Sequence, residues 1–483
     1  MPKPLKQLRQ IRIDKLAQIK KLGVNPYPAE CQRKQVIIKA RKMMGKKVAV
    51  AGRLMAYRGH GQITFADLVD QSGKIQLVFK IDDLKDKQKK LLELLDIGDF
   101  LQTSGKVTKT KSGEISVEIA DFKLLAKSLR PLPHKWHGLK DIEERYRKRY
   151  LDFILSPEAR KKIIIRTKTI HAIREFLVKE GFLEVETPIL ETDASGALAK
   201  PFKTHINAYD IDLYLRICMG ELWQKRLIAA GFEKTFELGK AFRNEGVSKE
   251  HNPEFTMLEY YWAYADFQNN MKLQEKLVSF AVKKATGTSK IKYKGKEINF
   301  TPPYPHKKYR DIILEKTKLD IEKFRSLAKL KKEVKKRGLR VEKGWSWGRT
   351  VDEFYKEFVR PNLVGPIFLT HHPAELKPLA KKDPENESYV QSFQLMAAGF
   401  ELSNNYTELN NPLDQKKRFE EQKKLAKKGE DETMAADLDF VKALEYGMPP
   451  TTGAGIGIDR LVALLTNSHS LREVIAFPLM KPK

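Results

Sequence analysis

From about residue 46 to residue 128 the apolar side chains recur at every second position, in five short runs punctuated by glycine. Val48-Ala49-Val50 leads to Gly52, and Ile63-Thr64-Phe65-Ala66-Asp67-Leu68 follows Gly59 and Gly61. Lys74-Ile75-Gln76-Leu77-Val78-Phe79 comes directly after Ser72-Gly73; the runs from Phe100 to Val107, through Gly105, and from Glu114 to Ile119 complete the set. Successive side chains of a strand point to opposite faces, so a period of two marks strands. Five of them in about 80 residues predict a small closed barrel of the OB type. Barrels of this kind stack unpaired bases on aromatic side chains within a basic groove. Phe65 is either such a platform or a residue of the barrel core.

The stretch before the barrel has a different period. Leu5, Leu8, Ile11, Leu16 and Ile19 fit one stripe of a helix, with Lys3, Lys6, Arg9, Arg12, Lys15, Lys20 and Lys21 around it. That helix is expected to stop at Gly23, ahead of Asn25-Pro26-Tyr27-Pro28. Its positive face reads either as solvated or as a contact for a nucleic acid backbone. Charge favours a polyanionic partner for the whole chain: 91 Lys and Arg against 62 Asp and Glu leave +29 over 483 residues. No apolar run approaches the roughly 18 residues that span a bilayer, so no membrane partner is expected. Cys31 and Cys218 alone make neither a disulfide framework nor a four-cysteine metal site. The basic N-terminus lacks the apolar core of a secretory signal, and a cytoplasmic location is expected.

At about 150 residues per domain the length suggests two to four domains. We read residues 1–45 as a basic helical extension, 46–128 as the barrel, 129–160 as linker and helix, and 161–483 as a catalytic domain. Pro131-Leu132-Pro133 marks the linker, Asp141 to Leu155 reads as one charged helix, and the charged stretches Lys323 to Lys343 and Lys416 to Glu432 read as solvated helices.

Several chemistries are excluded by missing motifs. No Gly-Lys pair is followed by Ser or Thr, so there is no P-loop; no His is followed by Glu, so there is no zincin helix; and there is no Gly-x-Ser-x-Gly elbow. Three constellations remain. Gly181-Phe182-Leu183-Glu184-Val185-Glu186-Thr187-Pro188 runs from a helix end into a strand that stops at proline, and taken alone is architecture. Phe242-Arg243-Asn244-Glu245-Gly246 and His251-Asn252-Pro253-Glu254-Phe255 join two strands through a polar loop. From Phe255 onward, period two places Phe255, Glu259 and Tyr261 on one face, with Thr256, Leu258 and Tyr260 on the other. An arginine, an aromatic plate and inward carboxylates on one sheet face suit a nucleotide beside a cationic ligand, although a purely structural sheet fits the same pattern. The third is Gly453-Ala454-Gly455-Ile456-Gly457-Ile458-Asp459-Arg460, where glycines permit close backbone approach or serve tight strand–helix packing, and Arg460 lies in the first turns of an apolar helix.

In this order the three stretches resemble the three motifs of the class II aminoacyl-tRNA synthetases. The chain is similar over its whole length to the bacterial-type lysyl-tRNA synthetases. Further phrases that carry the resemblance are Arg130-Pro131-Leu132-Pro133, Arg145-Tyr146-Arg147-Lys148-Arg149-Tyr150-Leu151-Asp152 and Thr407-Glu408-Leu409-Asn410. The resemblance implies an α+β fold: a five-stranded OB barrel, then a six-stranded antiparallel sheet flanked by helices. It implies ATP-dependent activation of lysine to an adenylate, transfer to the 3′ end of the lysine tRNA, Mg²⁺ accompanying ATP, and a homodimer formed through the first motif.

The same resemblance assigns roles. Arg243 and Arg460 are the catalytic cations. Arg243 would hold the α-phosphate and the substrate carboxylate, and Arg460 would lie near the γ-phosphate or against the adenine. Phe255 matches the ring stacked on adenine, Glu245 the reader of its amino group, His251 a loop contact to the phosphates, and Gly457 and Glu401 further ATP contacts. Gly196, Glu221, Glu259, Tyr261, Asn404, Tyr406 and Glu408 match the lysine site. Glu401 matches one of two family carboxylates for Mg²⁺; where the other is expected the chain has Gln394, a weaker ligand for a hard cation, which implies fewer or weaker bridging ions. In the barrel, Arg58, Phe65, Gln76 and Glu114 match positions that read an anticodon rich in uridine. The chain also departs at Lys200, Ser195, Asn405 and Tyr406, and Cys218-Met219-Gly220-Glu221 is one residue longer than the family's commoner Ala-Pro-Glu. Aspartate- or asparagine-specific relatives would need cations where this chain has Glu259 and Glu408. A non-catalytic RNA-binding protein would not need Arg243, Glu245, Phe255, Glu401 and Arg460 together.

Overall fold

The computed structural model describes residues 4–133, 141–193, 196–197, 199–427 and 436–482. Two compact units divide at Asp141/Ile142, within the stretch read as linker and helix.

The first unit opens with helix α1 (Leu5–Lys21), which ends two residues before Gly23. Its stripe is only partly used: Ile19 is fully buried, while Leu5 and Ile11 stay exposed. The positive face is not simply solvated either. Arg12 turns inward and donates to the carbonyls of Ser128 and Ile97, each at 3.0 Å, and Lys15 pairs with Asp96 at 2.9 Å. An arginine buried this way satisfies carbonyls that would otherwise lack donors.

Strands β1 (Lys47–His60), β2 (Ile63–Asp70), β3 (Gly73–Lys80), β4 (Phe100–Lys109) and β5 (Ile115–Ala126) close into a barrel in the order β1-β2-β3-β5-β4, with helix α2 (Asp86–Glu93) between β3 and β4. The five runs read from the sequence are these five strands. Leu68, Ile75, Leu77, Phe79, Leu101, Val107 and Val117 fill the interior. Ile19, Ile37 and Ala40 join the same core, so the residues before the barrel pack as part of this unit. Phe65 alternates with the inward Thr64 and Ala66 and is only half-buried. It therefore belongs to the outer face and not to the core.

The second unit begins with two helices, Ile142–Arg147 and Arg149–Leu155, instead of the single charged helix expected. Arg149 and Asp152 form a buried pair, and burying that pair takes the chain out of one solvated helical face. Helix α3 (Pro157–Lys179) is capped by Ser156, whose side chain accepts from Ala159 N at 3.2 Å. The later elements that build and cover the main sheet include β6 (Leu183–Glu184), α4 (Glu221–Ala229), β7 (Lys234–Phe242), β8 (Glu254–Ala263), α5 (Phe267–Thr286), β9 (His306–Lys308), β10 (Ile367–Thr370), β11 (Ser392–Ala397), β12 (Phe400–Thr407), β13 (Thr451–Gly457) and α6 (Ile458–Leu465).

The eight strands form one sheet in the order β9-β10-β11-β12-β13-β8-β7-β6. The six from β10 to β7 pair antiparallel, as the resemblance implies. The sheet differs from that expectation by one short parallel strand at each edge, β9 and β6. Segments of three and two residues are too short to show a period. Helices α3, α5 and α6 cover one face through Ile173, Leu177, Leu277, Ala281, Leu461 and Leu464, against Leu258, Tyr260, Ala454 and Ile456 of β8 and β13. The opposite face of the same strands is left for the site. The helix Pro412–Lys427 is not a purely solvated one: Arg418 is buried and donates to Ala380 O at 2.6 Å. The rest of the Lys416 to Glu432 stretch lies outside the described residues.

Candidate active site

The site follows from the alternation in β8. Leu258 and Tyr260 enter the core, so Phe255, Met257, Glu259 and Tyr261 face the other way and line a cavity of about 480 Å³. The register sets rows across the sheet. Gln394, Asn404, Gly455 and Glu259 form one row, and Ser392, Tyr406, Gly453 and Tyr261 the next. In β13 the glycines at 453, 455 and 457 occupy the cavity side, while Ala454 and Ile456 pack into the core. The central strand thus gives the cavity a floor without side chains. A Cβ at Gly453 would stand 2.2 Å from Glu408 Oε1 and 2.5 Å from Tyr261 Cε1, so this glycine is required by close approach. Gly453→Ala is expected to destabilise the fold by about 1–3 kcal/mol, because Glu408 and Tyr261 must give way. Equilibrium denaturation of the variant beside wild type checks this.

At one end of the cavity, the β7–β8 connection is closed by Arg243 N donating to Pro253 O at 2.8 Å. The Arg243 guanidinium carbon lies 5.2 Å from the centre of the Phe255 ring, and its Nε donates to Ile217 O at 3.2 Å. Glu245 accepts from Lys200 N at 3.3 Å, and His251 Nδ1 lies 3.0 Å from Ser248 Oγ. Arg460, in the first turn of α6 after Gly457, donates to Glu401 O at 3.2 Å. Asp459 beside it accepts from Thr256 N at 3.0 Å and pairs with Arg166 at 2.5 Å, which fixes helix to strand.

At the other end three carboxylates converge. Glu221, Glu259 and Glu408 are all buried. Tyr406 donates its hydroxyl to Glu221 Oε1 at 2.6 Å, and Tyr261 donates to Glu259 Oε2 at 3.5 Å. The longer Cys218-Met219-Gly220 segment is absorbed at Gly220, whose φ of +66° suits glycine, and Glu221 still opens α4. One helical turn on, Lys225 reaches 2.7 Å from Glu221 Oε1 and 2.5 Å from Glu408 Oε2. Burial works against the Lys225 charge, but the two carboxylates outweigh it and raise its pKa. Glu259 is pushed well above the ordinary carboxylate range, first by burial and then by the charge of Glu221. Glu408 is also pushed up by burial, with Lys225 opposing and Glu221 and Glu259 adding to the shift.

The cavity brings together every sequence-predicted residue of this unit: Gly196, Glu221, Arg243, Glu245, His251, Phe255, Glu259, Tyr261, Gln394, Glu401, Asn404, Tyr406, Glu408, Gly457 and Arg460. Ser195 lies outside the described residues. Sequence reading missed Lys225 and Lys377. For Lys225 the signal was its place four residues after Glu221, the spacing of a helical ion pair. Lys377 is buried, donates to Asn404 Oδ1, and is drawn down by burial to about 8, against the pull of Glu401, Asp352 and Glu221.

In the first unit, Arg58 stands directly across from Phe65, Asp67 across from Gln76, and Gln76 across from Ser116. Ser116 donates to Gln76 Oε1 at 2.8 Å, and Glu114 lies 3.3 Å from Arg41 Nη1. By this register Arg58, Phe65 and Gln76 share one face of the barrel, with Ser116 buried beside Gln76.

A nucleotide-sized cavity on an antiparallel sheet, with an arginine on the β7–β8 hairpin and another opening the helix after a glycine strand, defines a class II synthetase core. Residues 141–481 match the family described as tRNA synthetases class II (D, K and N), and residues 48–125 the OB-fold nucleic acid binding domain. The chain is 46% identical to the Lysine--tRNA ligase of Carboxydothermus hydrogenoformans, across 99% of both chains. The Lysine--tRNA ligase of Moorella thermoacetica is also 46% identical, across 99% of this chain and 98% of the relative, and that of Dehalococcoides mccartyi is 44% identical with the same coverage. The chain belongs to the class II lysyl-tRNA synthetase family.

Proposed function

We propose that this chain activates lysine with ATP to lysyl-adenylate and transfers the lysyl group to the 3′ end of the lysine tRNA. The observation that carries this reading is the charge of the slot. With all three carboxylates ionised, the state that a bound ammonium favours, they and Lys225 leave a formal charge of −2, which complements the α- and ε-ammonium groups of one lysine. An aspartate or asparagine side chain offers nothing for that charge, and leucine or methionine would leave buried carboxylates without partners.

Arg243 stands between the slot and the Phe255 ring, where it would hold both the lysine carboxylate and the α-phosphate. The attacking carboxylate is already ionised, so adenylation needs orientation and charge neutralisation and no general base. Phe255 would stack the adenine, with Glu245 at its amino group, His251 and Gly457 along the nucleotide, and Arg460 at the far phosphate or the other face of the base. Gly196, Tyr261, Asn404 and Tyr406 would complete the lysine site around the three glutamates.

Mg²⁺ is the ion expected to accompany ATP, where it supplies charge neutralisation on the phosphates. Among the described residues no group of three or more histidine, cysteine or carboxylate side chains is placed to hold a metal. Glu401 with the amide of Gln394 fits an ion carried in on the phosphates, not one held between two protein carboxylates.

Arg58, Phe65 and Gln76 on one barrel face, with Glu114, form the proposed anticodon surface. Phe65→Ala is expected to weaken tRNA binding by about ten- to a hundredfold while leaving lysine-dependent ATP–pyrophosphate exchange unchanged. Filter binding and exchange assays on the same preparation check it. We also propose the four-part division given above, a homodimer, and a cytoplasmic location. Exposed Leu183 within the first motif and exposed Ile189 and Leu190 directly after it support the dimer; among the described residues no helix is long and apolar enough to cross a membrane. Charging of lysine tRNA with radiolabelled lysine tests the function; absence of charging by a protein that forms the adenylate would leave only the first half-reaction.

A further inference from the structure

Lys377 stands out among the cations of the active-site cavity. Its residue is 6% exposed, and its ammonium donates to Asn404 Oδ1. It makes no ion pair among the described residues, and its next aromatic neighbour, Tyr406, has its ring centre 6.0 Å away. An ammonium has three donors, and taking it out of water without a partner is costly. Lys225, also buried and packed behind the cavity's Glu221 and Glu408, has two carboxylates. A cation kept without one is what a binding site for an anion requires.

Its position narrows which anion. Asn404 lies directly across from Gln394, three residues beyond Glu401 on β12. The ammonium is therefore fixed over the part of the sheet where the family's second metal-binding carboxylate is expected and an amide stands instead. A carboxylate there needs a metal ion between itself and a phosphate. An amide does not, and an ammonium beside it attracts the phosphate directly.

We propose that Lys377 is a built-in counter-cation for the phosphate chain of ATP, taking over part of the neutralisation that a second bridging metal ion would supply. This rests on the function proposed above. It makes nucleotide binding in this chain less dependent on Mg²⁺ and makes Lys377 a binding residue of the reaction. The lysine carboxylate is the competing anion, and the test separates the two.

ATP binding is titrated by calorimetry in EDTA and again at saturating Mg²⁺, for wild type and Lys377→Met, with lysine titrated in parallel. Metal-free ATP binding is expected to weaken by about tenfold or more in the variant. With saturating Mg²⁺ the loss should shrink, and lysine affinity should stay within about twofold, which also reports an intact fold. A smaller effect on metal-free ATP binding, or a loss that falls on lysine instead, overturns the proposal. If Lys377→Met does not fold, Lys377→Arg read against Lys377→Gln by the same titration decides whether charge at this place is what matters. A wild-type protein that binds no ATP under either condition would contradict the proposed function itself.

Discussion

Arg243→Ala is expected to lower lysine-dependent ATP–pyrophosphate exchange by about a hundred- to a thousandfold, with lysine and ATP binding changed far less. Arg243 lies 5.2 Å from the centre of the Phe255 ring and lines the same cavity as Glu259, and in the proposed function it would lie where the two substrates meet. As the carboxylate attacks, negative charge builds on the pentacoordinate phosphorus, and a fixed guanidinium stabilises that state more than either ground state. A planar guanidinium fork can contact carboxylate and phosphate oxygens together, which an ammonium does not. Arg243→Lys should therefore recover little of the loss. Single-turnover adenylate formation separates this effect from binding; equal losses in substrate binding and in rate would show that Arg243 only holds substrates.

Glu259→Gln is expected to reduce kcat/KM for lysine by about a hundred- to a thousandfold while leaving the KM for ATP nearly unchanged. The amide keeps the shape and removes one ionisable group, so the fully ionised slot that faces bound lysine falls from −2 to −1 against a ligand bearing two ammonium groups. This substitution breaks no ion pair, unlike Glu408→Gln, which would also strip a partner from Lys225. The same carboxylates predict a pH dependence. Glu259 and Glu408 are held above the ordinary carboxylate range in the free site, so near neutral pH part of the population carries a proton there. A bound ammonium favours the ionised form, so lysine binding should release protons, and affinity should rise with pH until both groups are ionised. Calorimetry in buffers of different ionisation enthalpy measures the protons; none released at pH 7 would contradict these shifts, and Glu259→Gln should release fewer.

Much of this site is legible in the sequence because strand alternation is strict. On a strand Phe255, Glu259 and Tyr261 share a face, whereas the glycines at 453, 455 and 457 read equally as tight strand–helix packing, and only the register of the sheet makes them a floor. The barrel was legible through the same alternation. What stayed hidden depends on neighbours that are distant along the chain. A lysine in a polar stretch reads as solvated: Lys225 carries only the local hint of Glu221 four residues before it, Lys377 none, and the partners Glu408 and Asn404 arrive from the loop after β12 and from β12 itself. Arg12 on a basic helix and Arg149 in a charged run were hidden in the same way, since each is buried by carbonyls or a carboxylate supplied by folding. The edge strands Leu183–Glu184 and His306–Lys308 exist only because the sheet offers them an open edge.

The central claim, that a slot of formal charge −2 beside a nucleotide cavity selects lysine for activation, is tested most directly by ATP–pyrophosphate exchange with each of the twenty amino acids and ornithine supplied singly. Exchange with lysine, little or none with neutral or acidic amino acids, and weak exchange with the shorter ornithine is the predicted result. Exchange with aspartate or asparagine, or none with any amino acid from folded protein in the presence of Mg²⁺, would contradict it.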